Sequence, residues 1–300
     1  MTWFLVAIFS YLLAAITAIV DDCLLAGSPN PKSYVFYAGI LGILIIILIP
    51  FIDFSIPNIN QLGLSILAGS IFILALFGFY TALENFEASR VVPAIGGLLP
   101  IFTLILTCFF STQEALSQWK ILAFGLLLLG SIFITIERGK KITLKSFRFS
   151  MLVALLFSLS FFLAKYVYLN QPFWQGFIWM RIGGFLTALC FVFTKEVKEE
   201  IVKGHFTFQK KTGIFFLSNQ VLGAISSILQ NWAIALVPLG LLAFINALEG
   251  TKFVFLLIFA SILSLKFPRF LSEQISKKII FQKIFAILLI GLGLTVLAFK

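Results

Sequence analysis

Ten long apolar segments separated by short polar loops dominate this sequence. At roughly 20 residues each, they are long enough to cross a ~30 Å hydrocarbon layer as α-helices. With 61% hydrophobic and 11% charged residues, the chain has more apolar surface than a soluble core could bury. The sequence therefore predicts an all-α polytopic membrane protein. The ten predicted spans are Thr2–Val20, Ser33–Ile52, Leu62–Leu83, Ala88–Ser111, Trp119–Ile136, Phe149–Leu169, Gln175–Thr194, Gly213–Leu236, Leu239–Leu265 and Ile280–Phe299.

The second half of the chain repeats features of the first. Because each half holds five spans, an odd number, the halves must cross the membrane in opposite orientations. We therefore expect two inverted five-helix repeats, residues 1–140 and 149–300. The matches pair Leu5-Val6-Ala7 with Leu152-Val153-Ala154, Leu98-Leu99-Pro100 with Leu248-Glu249-Gly250, Gln118-Trp119-Lys120-Ile121 with Gln282-Lys283-Ile284, and Gly130 with Gly293.

The ninth span carries polar residues at its middle. Asn246, Glu249 and Lys252 recur every three residues, which places them on one side of a helix. A charge at that depth costs at least ~2.5–3.5 kcal/mol on insertion scales and should face protein or water. Gly250 leaves room for a close neighbour. We expect a substrate or coupling site here; the alternative is that Glu249 and Lys252 simply neutralise each other.

The fourth span contains two prolines and two glycines in eight residues: Pro93, Gly96, Gly97 and Pro100. Proline removes a backbone donor, and glycine permits close approach of a neighbour. Such a segment either lines a cavity or forms a tight helix contact. As counterparts in the repeat, the fourth and ninth spans are expected to meet near the two-fold axis.

Further polar residues lie within other spans, and one of them, Lys165 near the end of the sixth span, is expected to snorkel. Arg181 is about seven residues into the seventh span, and the eighth span holds Asn219, Gln220 and Asn231. They could line a polar path. Snorkelling of the arginine and interhelical hydrogen bonds of the amides, at ~0.6 kcal/mol each, explain them equally well.

Several function classes find little support. The net charge of +10 comes from loops between spans, where basic residues set topology and meet lipid, so we expect no nucleic-acid partner. One histidine and three cysteines without paired spacing give no metal site. No P-loop motif is present, and we expect no cofactor.

Basic residues are distributed unequally between the loops. Seventeen of the 22 lysines and arginines fall in odd-numbered loops, and the even side holds Lys120 and Lys300. The positive-inside rule then puts both termini outside the cytoplasm.

The sequence resembles the EamA-type branch of the drug/metabolite transporter superfamily over nearly its whole length. In the second half, Gly250 stands where the family often has the proline of a Leu-Glu-Pro motif. The matching stretches are Tyr80-Thr81-Ala82-Leu83, Ala88-Ser89-Arg90, Leu98-Leu99-Pro100-Ile101-Phe102, Glu114, Gln118-Trp119, Gly130, Trp232-Ala233 and Leu248-Glu249.

The resemblance implies a ten-helix bundle of two inverted halves around a central cavity. It implies both termini in the cytoplasm, against the charge distribution. The implied activity is secondary transport, as an exporter of small metabolites across the cytoplasmic membrane, with possible proton or other ion coupling at Glu249. The alternatives are a non-transporting scaffold or receptor on the same fold and, less favoured, a lipid-modifying enzyme using Asp21 and Asp22. We expect no catalytic residues.

Overall fold

The structure is a computed structural model that describes residues 2–24, 31–110, 117–135, 143–198, 213–266 and 277–299. Its regular elements are helices. In chain order they are α1 Thr2–Leu24, α2 Pro31–Ile43, α3 Ile59–Asn85, α4 Ala88–Phe110, α5 Gln118–Thr135, α6 Leu144–Asn170, α7 Phe173–Leu189, α8 Gly213–Leu236, α9 Leu242–Ala247, α10 Gly250–Lys266 and α11 Lys277–Phe299. Short 3₁₀ turns continue α2 (Leu44–Phe51), continue α7 (Cys190–Phe193) and precede α9 (Leu239–Leu241).

Local sequence explains where several helices begin. Asn58 caps α3 by accepting a hydrogen bond from the Gln61 backbone amide at 2.9 Å. Thr143 caps α6 in the same way through the Ser146 amide at 3.3 Å. Both side chains satisfy backbone donors that a helix start leaves unpaired.

Within the described residues, nine helical segments are long and apolar enough to cross a membrane. The predicted eighth span is also helical, as α8, and it carries four amide side chains. Large apolar side chains point outward, including Phe51 and Phe109, each 82% exposed. Such a surface suits lipid rather than water. The prediction of a multi-pass, all-helical membrane protein is confirmed.

The centre of the bundle is the segment Leu242–Leu248, in which every residue is at most 3% exposed. It packs against α4 and α5, so the fourth and ninth spans meet as expected. Around this centre the closest helix pairs are α5 with α11, α1 with α8, α3 with α6 and α7, α4 with α6, and α2 with α7.

The helix interruption lies in the ninth span rather than the fourth. α4 stays helical through Pro93 and Pro100, as membrane helices can where neighbours pack against them. In contrast, α9 ends at Ala247 and α10 starts at Gly250. Backbone bonds there tighten to three-residue spacing: Glu249 N–H to Asn246 O (3.2 Å) and Lys252 N–H to Glu249 O (3.0 Å). The interruption of the ninth span thus falls directly before Gly250, whereas the fourth span remains one helix.

Candidate functional site

A polar cavity lies between α2 and α3 of the first half and α6, α7 and α8 of the second half. Its water-accessible space is about 60 Å³, room for a few water molecules at ~10–15 Å³ each. Among the described residues that line it, Arg181 carries the only charge. The other polar and aromatic residues of the wall are Ser160, Ser227, Gln230, Asn231, Phe72, Phe161, Phe177 and Phe185.

Arg181 is positioned by close contact between α7 and α3. A Cβ added to Gly69 would lie 1.8 Å from Met180 O, and one added to Gly183 would lie 2.3 Å from Ile66 O. Only glycine permits such backbone approach, which membrane helices use for association. The contact fixes the rotation of α7, so that Arg181 projects into the cavity beside Gly42 of α2, whose added Cβ would touch its side chain at 3.7 Å.

The guanidinium of Arg181 is incompletely satisfied by protein. It donates a hydrogen bond to Ser227 Oγ, and it lies over the Phe177 ring, 4.7 Å from the centroid. Ser227 Oγ is its one hydrogen-bond partner in the described part of the chain, although a guanidinium has five N–H donors. No ion pair joins it to a carboxylate of the described residues.

The α8 wall of the cavity is a fixed hydrogen-bond chain. Tyr168 of α6 donates to Asn231 Oδ1 at 2.9 Å, and Asn231 Nδ2 donates to Ser227 O at 2.9 Å. Asn231 therefore lines the cavity, as the sequence allowed, while its amide is held in one orientation by partners on two helices.

An aromatic cluster closes one end of the cavity. Phe173 stacks on Tyr168 (5.3 Å) and on Phe177 (5.7 Å), and it meets Trp232 edge-on at 4.4 Å. Phe177 lines the cavity, whereas Phe173 lines a separate depression together with Asp53. The Phe173 ring thus separates the Arg181 cavity from the surface at this end.

The predicted centre on the ninth span lies outside this cavity. Asn246 is 3% exposed and donates to Thr103 Oγ1 of α4 at 2.8 Å. Glu249 and Lys252 form a long ion pair of 4.0 Å, with side chains 32% and 27% exposed. None of the three residues lines the cavity. Asn246 thus occupies an interhelical hydrogen bond, one of the roles that amides commonly take inside membranes.

Tyr11 of α1 joins the two regions. Its hydroxyl donates to Ile245 O at 2.7 Å, and it interacts with the Gln230 side chain and electrostatically with Glu249. Gln230 lines the cavity. One buried tyrosine therefore senses both a cavity-lining amide and Glu249.

The remaining predicted residues take packing positions. Asn219 donates to Thr17 O of α1 at 3.3 Å, Gln220 is partly buried, and neither lines the cavity. The cavity is also not lined by Pro93, Gly96, Gly97, Pro100 or Gly250. A Cβ on Gly97 would lie 2.9 Å from Ile132, and one on Gly250 would lie 2.9 Å from Ser131. These two glycines serve tight helix contacts, the alternative that the sequence left open.

Sequence reasoning missed Ser227, Ser160, Tyr168 and Tyr11, and it expected Lys165 to snorkel toward the end of its span. Lys165 is in fact 2% exposed, and its ammonium donates to Ala235 O at the end of α8, at 2.8 Å. A cation at a helix C-terminus satisfies its unpaired carbonyls. The burial of serine and tyrosine in apolar spans was the available signal, since such groups require partners there.

No protein-family model and no curated protein matches the chain. A solved crystal structure, whose description names no function, superposes with a TM-score of 0.67 over 99% of this chain and 95% of its own, at 14% identity. In all, 27 chains of solved structures match. At this identity the likeness shows the fold alone.

Proposed function

We propose that this chain is a secondary transporter, an exporter of small metabolites across the cytoplasmic membrane, that holds its substrate in the Arg181 cavity. The observation that carries the proposal is a charged cavity walled by both halves of the chain, α2 and α3 on one side and α6, α7 and α8 on the other. Substrate sites of many transporters lie between structural repeats, and intramembrane charge faces such sites.

The proposed architecture is a ten-helix bundle of two inverted five-helix repeats. The helix pairs support it, because the contacts α1–α8 and α3–α6 exchange when each helix is replaced by its counterpart. The contact between α5 and α11 matches the two repeats residue by residue, because Gly130 approaches Ile290 and Gly293 approaches Leu127. Leu127 and Ile290 each stand three residues before a paired glycine, so the contact is reciprocal, as a two-fold axis requires. The resemblance of the sequence to EamA-type transporters supports the same architecture.

Transport by this site requires the helices to separate. A space of about 60 Å³ is smaller than the roughly 300–1,000 Å³ of small-molecule pockets. The structure then corresponds to a contracted state of an alternating-access cycle, with the Phe173 cluster as the closure at one end.

Glu249 is the proposed coupling residue. It lies at the interruption between α9 and α10, and discontinuous helices are a common location of coupling-ion sites. Tyr11 interacts with both Glu249 and the cavity-lining Gln230. A proton bound at Glu249 would loosen its pairing with Lys252 and alter this interaction.

The test is flux from proteoliposomes loaded with a mixture of small metabolites and read by mass spectrometry, with and without a proton gradient. We expect efflux with the wild type, loss of efflux with Arg181→Gln, and efflux without response to the gradient with Glu249→Gln. An unaltered gradient response in Glu249→Gln would refute the coupling role. Absence of flux for every compound with folded protein would refute transport.

A receptor or scaffold on the same fold is the second candidate, and the small volume of the cavity is the observation that favours it. Such a protein would bind a ligand in the cavity without moving it. The lipid-modifying alternative depended on Asp21 and Asp22, whose side chains lie outside the described part of the chain.

A further inference from the structure

We infer that the cavity binds small organic anions, with the negative group at Arg181 and an apolar or aromatic body among the phenylalanines. This inference names the substrate class and rests on the proposed function.

The charge of the cavity determines the sign of its ligand. Arg181 has no carboxylate partner among the described residues, and the charged residues on the described parts of the surrounding helices do not line the cavity. Glu249 does not line the cavity and is paired with Lys252. A cationic ligand would add a second positive charge to a site of low dielectric constant, which is unfavourable. An anionic ligand instead neutralises the positive charge of Arg181.

The donors of the cavity match an oxyanion. A guanidinium presents a planar fork that suits carboxylate or phosphate oxygens, and among the described residues only Ser227 uses it. Ser227 Oγ lies beside the guanidinium, on a turn of α8 whose Ser227 carbonyl also accepts a hydrogen bond from Asn231 Nδ2. Because the Arg181 guanidinium is already held by Ser227, less side-chain entropy is lost when a ligand binds.

The rest of the wall is apolar. Phe72, Phe161 and Phe177 face the cavity, and Phe161 packs against Phe72 at 6.4 Å. Facing aromatic rings and glycines provide a surface for a flat apolar body but few donors for a hydrated one. A fully hydroxylated sugar would leave most of its hydroxyl groups without partners in this wall, which is costly.

The experiment compares three compounds of one shape on the purified full-length protein: 3-phenylpropionate, 3-phenylpropanol and 3-phenylpropylamine. Binding is measured by ligand-dependent thermal stabilisation. We expect the acid to bind at least about tenfold more tightly than the alcohol, and the amine more weakly still, because only the acid brings a negative charge to the guanidinium.

Variants assign the preference to one residue. Arg181→Gln should remove the advantage of the acid over the alcohol. Arg181→Lys, which keeps the positive charge, should retain part of that advantage, and it replaces the first variant in the test if Arg181→Gln folds poorly. Arg90→Gln is the matched control, since Arg90 pairs with Glu87 at 3.5 Å on α4, away from the cavity. It should bind like the wild type.

The outcomes separate this inference from transport. Equal or tighter binding of the alcohol or amine, absence of acid binding at millimolar concentration, or an unchanged preference in Arg181→Gln would overturn the anion assignment, even if flux of another class is found. Acid binding that depends on Arg181 without any flux would support the anion assignment and refute transport instead.

Discussion

The guanidinium of Arg181 lies 4.7 Å from the centre of the Phe177 ring, one turn earlier on the same helix. A ring face partly compensates a cation removed from water, by roughly 0.5–2 kcal/mol. This pair allows a charge to lie in the cavity without a carboxylate partner among the described residues, and so leaves the charge available to a ligand.

Removing that ring should destabilise the protein specifically. We expect Phe177→Leu to lower the free energy of unfolding by about 1 kcal/mol more than Phe185→Leu does. Both substitutions replace a cavity-lining phenylalanine, but only Phe177 faces the guanidinium. Thermal unfolding in detergent measures both. Equal losses would mean that the ring contributes packing alone.

The contact between α5 and α11 should depend on Gly130. An alanine Cβ there would lie 2.6 Å from Ile290 Cγ1 and 3.0 Å from the Ile290 backbone nitrogen, so the helices must move apart. Overpacking of this kind costs about 1–3 kcal/mol. We expect Gly130→Ala to lower the unfolding temperature, and Gly125→Ala on the same helix, with no atom within 4 Å of its Cβ, to leave it unchanged or higher. An unchanged unfolding temperature in Gly130→Ala would contradict the close contact between α5 and α11.

Asn246 and Thr103 should be energetically coupled. Their hydrogen bond of 2.8 Å joins α9 to α4 in the centre of the bundle. In a double-mutant cycle of Asn246→Ala and Thr103→Val we expect a coupling free energy of ~0.5–2 kcal/mol. Thr107→Val is the control, because Thr107 Oγ1 donates to Leu104 O within its own helix. Coupling of equal size to Thr107 would exclude the assigned bond.

The sequence was sufficient to predict the helices, but it was not sufficient to predict which side of each helix faces a cavity. Apolar segment length predicted a multi-pass helical protein, because lipid requires that backbone groups pair within a helix. Nine helical segments of the described residues are long and apolar enough to cross a membrane. Which side of a helix faces a cavity depends on packing between segments far apart in sequence. The contacts at Gly69 and Gly183 turn Arg181 toward the cavity, while Asn246 is bound to Thr103 instead of facing a ligand site. These contacts between helices could not be identified from residue spacing along one helix.

A charged pair outside the spans offers a test by pH. Lys32 Nζ donates to Glu196 Oε1 at 2.6 Å, and this bond lowers the pKa of the Glu196 carboxyl below its ordinary value of 4.5. Since the folded-state pKa is depressed, the pair stabilises the fold above the unfolded value and stops doing so as pH falls through the lowered one. We expect Lys32→Met to raise the pKa of Glu196, measured by carbon-detected NMR of its carboxyl group. An unchanged pKa would show that the bond does not form in solution.

The most direct test of the account asks whether the Arg181 cavity opens to both sides of the membrane. Ser227→Cys lines the cavity, and Ser158→Cys is the control, being fully buried and bonded to Leu99 O between α4 and α6. Both are made after replacing Cys23, Cys108 and Cys190 by serine. A membrane-impermeant maleimide is then applied to right-side-out and inside-out vesicles. Alternating access predicts that Ser227→Cys reacts from either face while Ser158→Cys reacts from neither. Reaction of Ser227→Cys from one face only, or from neither, would contradict a transporter.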